Sequence, residues 1–241
     1  MVECSLDVRG LSATYGRHVV LKDVSLRVLS GEWFALMGPN GCGKSTLLDC
    51  IVGKLAPTAG DIRIAGHSLL TNPAGAKRQL GYACAPESLP PLLTARQCFE
   101  VHAGAKGLPI DAELMALAEE LKFLPYLESF VDTMSLGTKQ KLAVLLSLVG
   151  DPKLIILDEA FNGLDPASSL VLKQHLRRRL ADRGATLVLA THALDIIEHY
   201  ADHAALLLDG VLTREWTKSD IEGMRADGRG FDYALAFTRA G

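Results

Sequence analysis

What this chain lacks narrows its function first. No apolar run is long enough to cross a bilayer. The longest, Leu142 to Val149, is interrupted by Ser147 and falls far short of the ~20 residues that a spanning helix needs. A surplus of one charge is also missing. Twenty-five Lys and Arg face 28 Asp and Glu, a net charge of −3, so no nucleic-acid partner is expected. Cysteine is sparse: the 5 Cys are scattered, odd in number and without paired metal spacing, which points to reduced thiols. The segment Met1-Val2-Glu3-Cys4-Ser5-Leu6-Asp7 carries acids and lacks a basic-then-apolar signal pattern. Internal repeats, low-complexity tracts and long linkers are absent too. The expectation is one cytoplasmic domain, with 49% hydrophobic and 22% charged residues among 241 and a large core.

What is present centres on Gly38-Pro39-Asn40-Gly41-Cys42-Gly43-Lys44-Ser45-Thr46. Two glycines five positions apart followed by Lys and Ser fit the phosphate-binding loop pattern. Glycines let the backbone turn tightly, so that successive N–H groups face phosphate oxygens. Lys44 would bring a positive charge to the β- and γ-phosphates, and the Ser45 hydroxyl would sit on Mg²⁺. The flanks agree. Glu32 to Met37 reads as a buried strand, and Ser45 to Ile51 as a helix whose N-terminus favours an anion. Cys42 lies among those N–H groups beside Lys44. It is either a small-residue filler or a thiol stabilised as thiolate and protected by nucleotide.

Elsewhere the chain alternates strands and helices. Leu6 to Val8 and Val19 to Leu29 read as strands. Between them Tyr15 is either a packed turn aromatic or a ring that stacks on a purine. Asp61 to Gly66 and Leu80 to Cys84 follow as strands. Thr94 with Gln97 predicts a capped helix ending near Gly104 or Gly107, and Asp111 to Leu121 a second. Residues from about 87 to 150 are thus mostly helical. Leu154 to Leu157 reads as a central parallel strand, followed by Asp158-Glu159. Asp165-Pro166 starts a helix that Gly184 stops. Leu187 to Ala190 is the next buried strand, ending at Thr191-His192. Asp209-Gly210 predicts a hairpin. Beyond Trp216 the pattern is uninformative. The order defines a doubly wound α/β core, in which ligands sit at the carboxyl ends of strands. The Gly38 loop, Asp158-Glu159 and His192 all follow strand ends.

Asp158 is therefore placed to hold Mg²⁺. Glu159 is placed to orient or deprotonate a water, and His192 to reach a γ-phosphate. A solvated acidic pair and a structural histidine are the alternatives.

In these motifs, from Val8 to Leu212, the chain resembles the nucleotide-binding domain of an ABC transporter. Gly38 to Thr46 resembles its Walker A loop and Leu154 to Glu159 its Walker B strand. Asn162-Gly163-Leu164-Asp165 resembles its interface loop, and His192 its switch histidine. Met134-Ser135-Leu136-Gly137-Thr138-Lys139-Gln140 resembles its signature segment. The resemblance implies a phosphate-binding-loop core with a mainly parallel sheet, an N-terminal antiparallel β subdomain and an inserted helical subdomain, all in one domain over 1–241. It implies ATP and Mg²⁺ as cofactors, with Tyr15 on the adenine. Ser45 and Asp158 are the implied metal contacts. Gly38, Asn40, Gly41, Cys42, Gly43, Lys44, Ser45, Thr46 and Asp165 are implied at the nucleotide, with Ser135 and Gly137 meeting the γ-phosphate of a second subunit.

The signature departs from the family pattern at Leu136 and Thr138, variants that resemble the ATPases of exporters with separate membrane chains. Ala85 stands where a Gln usually touches metal and water. Glu87 either substitutes for it, or is a solvated loop acid or a contact to a membrane subunit. The implied function is an ATPase subunit that pairs with a second copy, sits on the inner face of the membrane through integral-membrane permease subunits, and drives export. An importer ATPase and a soluble non-transport ABC ATPase are the alternatives.

Overall fold

The computed structural model describes residues 3–226. The chain opens with β1 (Cys4–Tyr15) and β2 (His18–Leu29), then β3 (Trp33–Met37) and α1 (Lys44–Ile51). Next come β4 (Ala59–Ile64), β5 (His67–Ser68), α2 (Pro73–Arg78) and β6 (Leu80–Ala83). A helical stretch follows: α3 (Ala95–Lys106), α4 (Ala112–Glu120) and α5 (Leu136–Ser147), with short 3-10 turns between. The core resumes with β7 (Leu154–Asp158), α6 (Pro166–Arg183), β8 (Thr186–Ala190), α7 (Leu194–Tyr200), β9 (His203–Leu208), β10 (Val211–Trp216) and α8 (Lys218–Ala226).

Two sheets form. One is antiparallel, in order β2-β1-β4-β5; the other has order β10-β9-β3-β8-β7-β6. In the second, β9, β3, β8, β7 and β6 run parallel, and β10 closes the edge antiparallel to β9. Its strands β3 and β8 are buried at every residue, which is why they read as unbroken apolar runs. Alternate residues serve two cores. Trp33, Met37, Ile155, Leu157 and Leu189 pack under the helices of the 95–150 stretch and α6. Phe34, Leu36, Ile156 and Val188 pack toward α1 and the antiparallel sheet.

Local signals set the helix limits. Thr94 and Gln97 exchange both capping-box bonds, at 2.9 and 3.3 Å, and Gly107 ends α3 in the left-handed region. Asp165 accepts from Ser168 N at 2.9 Å to start α6, and Gly184 ends it. The first hairpin is longer than expected. β1 runs on past Val8 to Tyr15, and its pairing with β2 shifts register between Val8 and Leu11 and again between Leu11 and Ala13. Each shift breaks the two-residue alternation that marks a strand in sequence. The segment after Trp216, uninformative as sequence, is ordered through Ala226, and residues 227–241 lie outside the described residues. Thr217 and Asp220 form a reciprocal cap at 2.8 and 3.3 Å, and α8 buries Ile221.

Candidate functional site

The Gly38 loop joins β3 to α1. Gly38, Gly41 and Gly43 have φ of 153°, 83° and 112°. At Gly38 the space is decisive as well: a Cβ would lie 2.4 Å from Leu207 O and 2.5 Å from Cys42 Sγ, so no other residue fits without moving β9. The β9–β10 turn braces the loop through Gly210 N, which donates to Cys42 O at 3.1 Å. Lys44 is buried, and its Nζ donates to Gly38 O at 2.7 Å and Pro39 O at 3.2 Å. The loop thus holds its own cation at the mouth of the α1 N-terminus, where an anion is favoured.

Cys42 departs from the expectation of a stabilised thiolate. It is only 6% exposed, and burial pushes its thiol pKa up, outweighing the opposing pull of Lys44. A thiol in apolar surroundings is less reactive, not more.

Two pairs stand side by side at the end of β7. Ser45 Oγ donates to Asp158 Oδ2 at 3.0 Å. Burial, opposed by this bond and reinforced by neighbouring Glu159, raises the Asp158 pKa. Two hard oxygen donors so close fit a divalent cation such as Mg²⁺. Glu159, one residue on, turns away with φ 49°. Its Oε1 accepts from His192 Nδ1 at 2.9 Å, and its Oε2 from Asn162 Nδ2 at 3.1 Å. His192 follows β8 on a loop anchored by Thr191, whose N–H donates to Leu36 O at 3.2 Å and whose Oγ1 accepts from Ala193 N at 3.1 Å. β3, β8 and β7 are successive strands of the sheet, so their carboxyl ends gather Lys44, Ser45, Asp158, Glu159 and His192. Asn162 was read from sequence only as part of an interface loop. A side-chain amide three residues after a carboxylate was the available signal for its contact with Glu159.

The remaining expected residues lie around this centre. Tyr15 ends β1 and is 51% exposed, a free ring rather than a packed one. Ser135 caps α5: its Oγ accepts from Thr138 N at 3.2 Å and shares a 2.8 Å bond with Thr138 Oγ1. Thr138, a departure from the family pattern, thus ties Ser135 down. Gly137 faces the 162–165 loop so closely that a Cβ would sit 2.9 Å from Gly163 O. Asp165 is engaged in capping α6 and pairs with Lys141 of α5 at 3.2 Å; these contacts hold its carboxyl well below the usual range. Ala85 begins the 3-10 turn Pro86–Ser88, on which Glu87 is exposed. Among the described residues, no helix is long and apolar enough to cross a membrane.

A glycine loop between a buried strand and a helix, with a carboxylate of a parallel strand on the loop serine, defines a P-loop nucleoside triphosphatase. The ABC transporter family model matches residues 21–162, and the chain belongs to that family as an ATP-binding subunit and ATPase. It is 32% identical to Nod factor export ATP-binding protein I of Rhizobium etli over 92% of this chain and 71% of that one. It is 30% identical to the probable multidrug ABC transporter ATP-binding protein YbhF of Escherichia coli, over 93% of this chain and 39% of that one. Among solved structures, an ATP-binding subunit of an ABC transporter superposes with a TM-score of 0.84 at 34% identity, covering 96% of each chain. The dimeric cassette MJ0796, in a post-hydrolysis state bound to ADP and Pi, superposes at 0.77 with 25% identity, over 88% of this chain and 98% of that one.

Proposed function

We propose that this chain powers an exporter whose membrane permease is a separate chain, by pairing head to tail with a second copy around two ATP molecules. The observation that carries the reaction is the adjacency of the Ser45–Asp158 and Glu159–His192 pairs, at 3.0 and 2.9 Å, at the end of one strand. In this reading Lys44 exchanges the Gly38 and Pro39 carbonyls for phosphate oxygens, and the loop N–H groups hold the rest of the phosphate chain. Tyr15 stacks on the adenine. Ser45 and Asp158 hold Mg²⁺, which when bound with the nucleotide neutralises phosphate charge.

Glu159 takes a proton from a water whose oxygen forms a bond to the γ-phosphorus. The bond from that phosphorus to the bridging oxygen breaks, and its electron pair leaves with ADP. His192 holds the carboxylate in place. The protein's contribution is positioning and charge compensation. Ser135 and Gly137 meet the γ-phosphate of the partner copy across a two-fold interface, so the same patch serves both subunits. Loss of the γ-phosphate opens the dimer, and the permease uses that opening.

Export is supported by the names of two relatives, one for Nod factor export and one a probable multidrug ABC transporter; an inner-face membrane location goes with that reading. Glu159→Gln tests the chemistry. It keeps shape and removes the base, so it should bind ATP and lose turnover by about 100-fold or more. Unchanged turnover would sink the assignment. Direction is tested on the assembled complex, since export requires no extracytoplasmic binding protein.

A further inference from the structure

Glu159 is held at every polar group it has. Its N–H donates to Ala190 O at 2.9 Å, and its carbonyl accepts from Asn162 N at 3.0 Å. The second bond closes a four-residue turn, Glu159-Ala160-Phe161-Asn162. The turn is pinned from within. Ala160 is fully buried, Phe161 is 9% exposed, and the Phe161 ring stacks on Trp33 with centroids 6.3 Å apart. Glu159 itself sits at φ 49°, a conformation that persists in a non-glycine residue only where its surroundings over-determine it. The turn therefore delivers the Asn162 side chain to the Glu159 carboxylate.

The carboxylate's last torsion is the one a single partner cannot fix. Rotation about a terminal sp³–sp² bond is broad, so a bond from His192 to Oε1 alone leaves Oε2 free to swing. Asn162 Nδ2 donates to that second oxygen at 3.1 Å. From this geometry we infer that Asn162 is a positioning residue for hydrolysis: its amide and the His192 imidazole together lock the plane of the Glu159 carboxylate toward the attacking water. The inference rests on Glu159 being the base. Asn162 neither gains nor loses a proton; it acts through Glu159.

The test is single-turnover conversion of stoichiometric radiolabelled ATP with Mg²⁺ by the full chain, with the ATP Kd measured in parallel. Asn162→Ala should slow conversion about 10- to 100-fold with Kd changed less than about twofold, since the loss is in alignment and not in ATP binding. Asn162→Asp should be slower still, because it sets a second carboxylate against Oε2. Asn162→Gln, which keeps the donor, should retain more of the rate than either. A role in the turn alone gives the opposite order, because Asp suits turns as Asn does and Ala does not. In a Glu159→Gln background, Asn162→Ala should add nothing. Wild-type conversion by Asn162→Ala, Asp milder than Ala, or a further loss on top of Glu159→Gln would each overturn the inference. If Asn162→Ala does not fold, judged by circular dichroism, the order of Asp and Gln decides. Wild-type conversion by Glu159→Gln alone would instead overturn the assignment of the base.

Discussion

Lys44 shows how much one side chain does here. Its ammonium is buried against Gly38 O and Pro39 O, so it both shapes the loop and waits for phosphate. Lys44→Ala should weaken ATP binding by about 100-fold or more, because charge-assisted hydrogen bonds are worth roughly 1.5–3 kcal/mol each. Nucleotide titration of the purified variant checks this, and wild-type affinity would exclude the loop as the phosphate site. Cys42 argues the other way. Buried beside Gly38, with its pKa raised by desolvation, it should react with a maleimide more slowly than the partly exposed Cys4. Peptide mapping after brief labelling reads the order. Rapid, ATP-blocked labelling of Cys42 would restore the thiolate reading.

At the scale of elements, the notable contact is between α6 and α4. Arg179 of α6 is 1% exposed and is ringed by Asp111, Glu113 and Asp151 at 3.8, 3.7 and 3.5 Å. Beside it His175 is buried, 3.7 Å from Glu113. Burial, reinforced by Arg179, holds the His175 pKa at about 4, down from 6.5; Glu113 opposes this and Arg178 and Arg183 add to it. The neutral imidazole is the folded form. The unfolded chain takes its proton near pH 6.5, so between there and about pH 4 it binds more protons than the folded chain. This contribution is complete above about pH 6.5 and is lost as pH falls through that window, by up to about 3 kcal/mol. Urea unfolding at about pH 7 and about pH 4.5 measures it. His175→Leu should flatten the slope, and an unchanged slope in that variant would place the titration elsewhere.

For the whole molecule, the site is half of a larger one in the proposed reading. The contacts of Gly137 with Gly163 and of Lys141 with Asp165 join the signature helix α5 to the loop that follows the base, on one surface of one chain. Glu159→Gln with ATP and Mg²⁺ should therefore trap a dimer containing two ATP, seen as a doubled mass in light scattering. Ser135→Arg should prevent that dimer while leaving nucleotide binding by the monomer within about threefold, because Ser135 serves the partner's nucleotide. A dimer that survives Ser135→Arg would place the interface elsewhere.

The sequence by itself determined the parts whose physics is local. The glycines of the phosphate loop, the caps at Thr94 and Asp165, the stop at Gly184, and the apolar runs of β3, β7 and β8 each follow from conformational freedom, capping or burial, and each stands where it was expected; of the two glycines offered as the end of α3, the structure uses Gly107. The carboxylate pair after Leu157 and the histidine after Ala190 were legible because parallel strands expose their carboxyl ends to a common ligand. Other features were decided only by tertiary structure. The full length of β1 depends on bulged pairing with a partner strand, which hides its alternation. The burial that raises the Cys42 pKa comes from a core cluster that includes Leu207 of β9, distant in sequence. The two-point hold on Glu159 needs a turn anchored in the core and a histidine from another strand. Long-range packing sets these, and no window of neighbouring residues carries it.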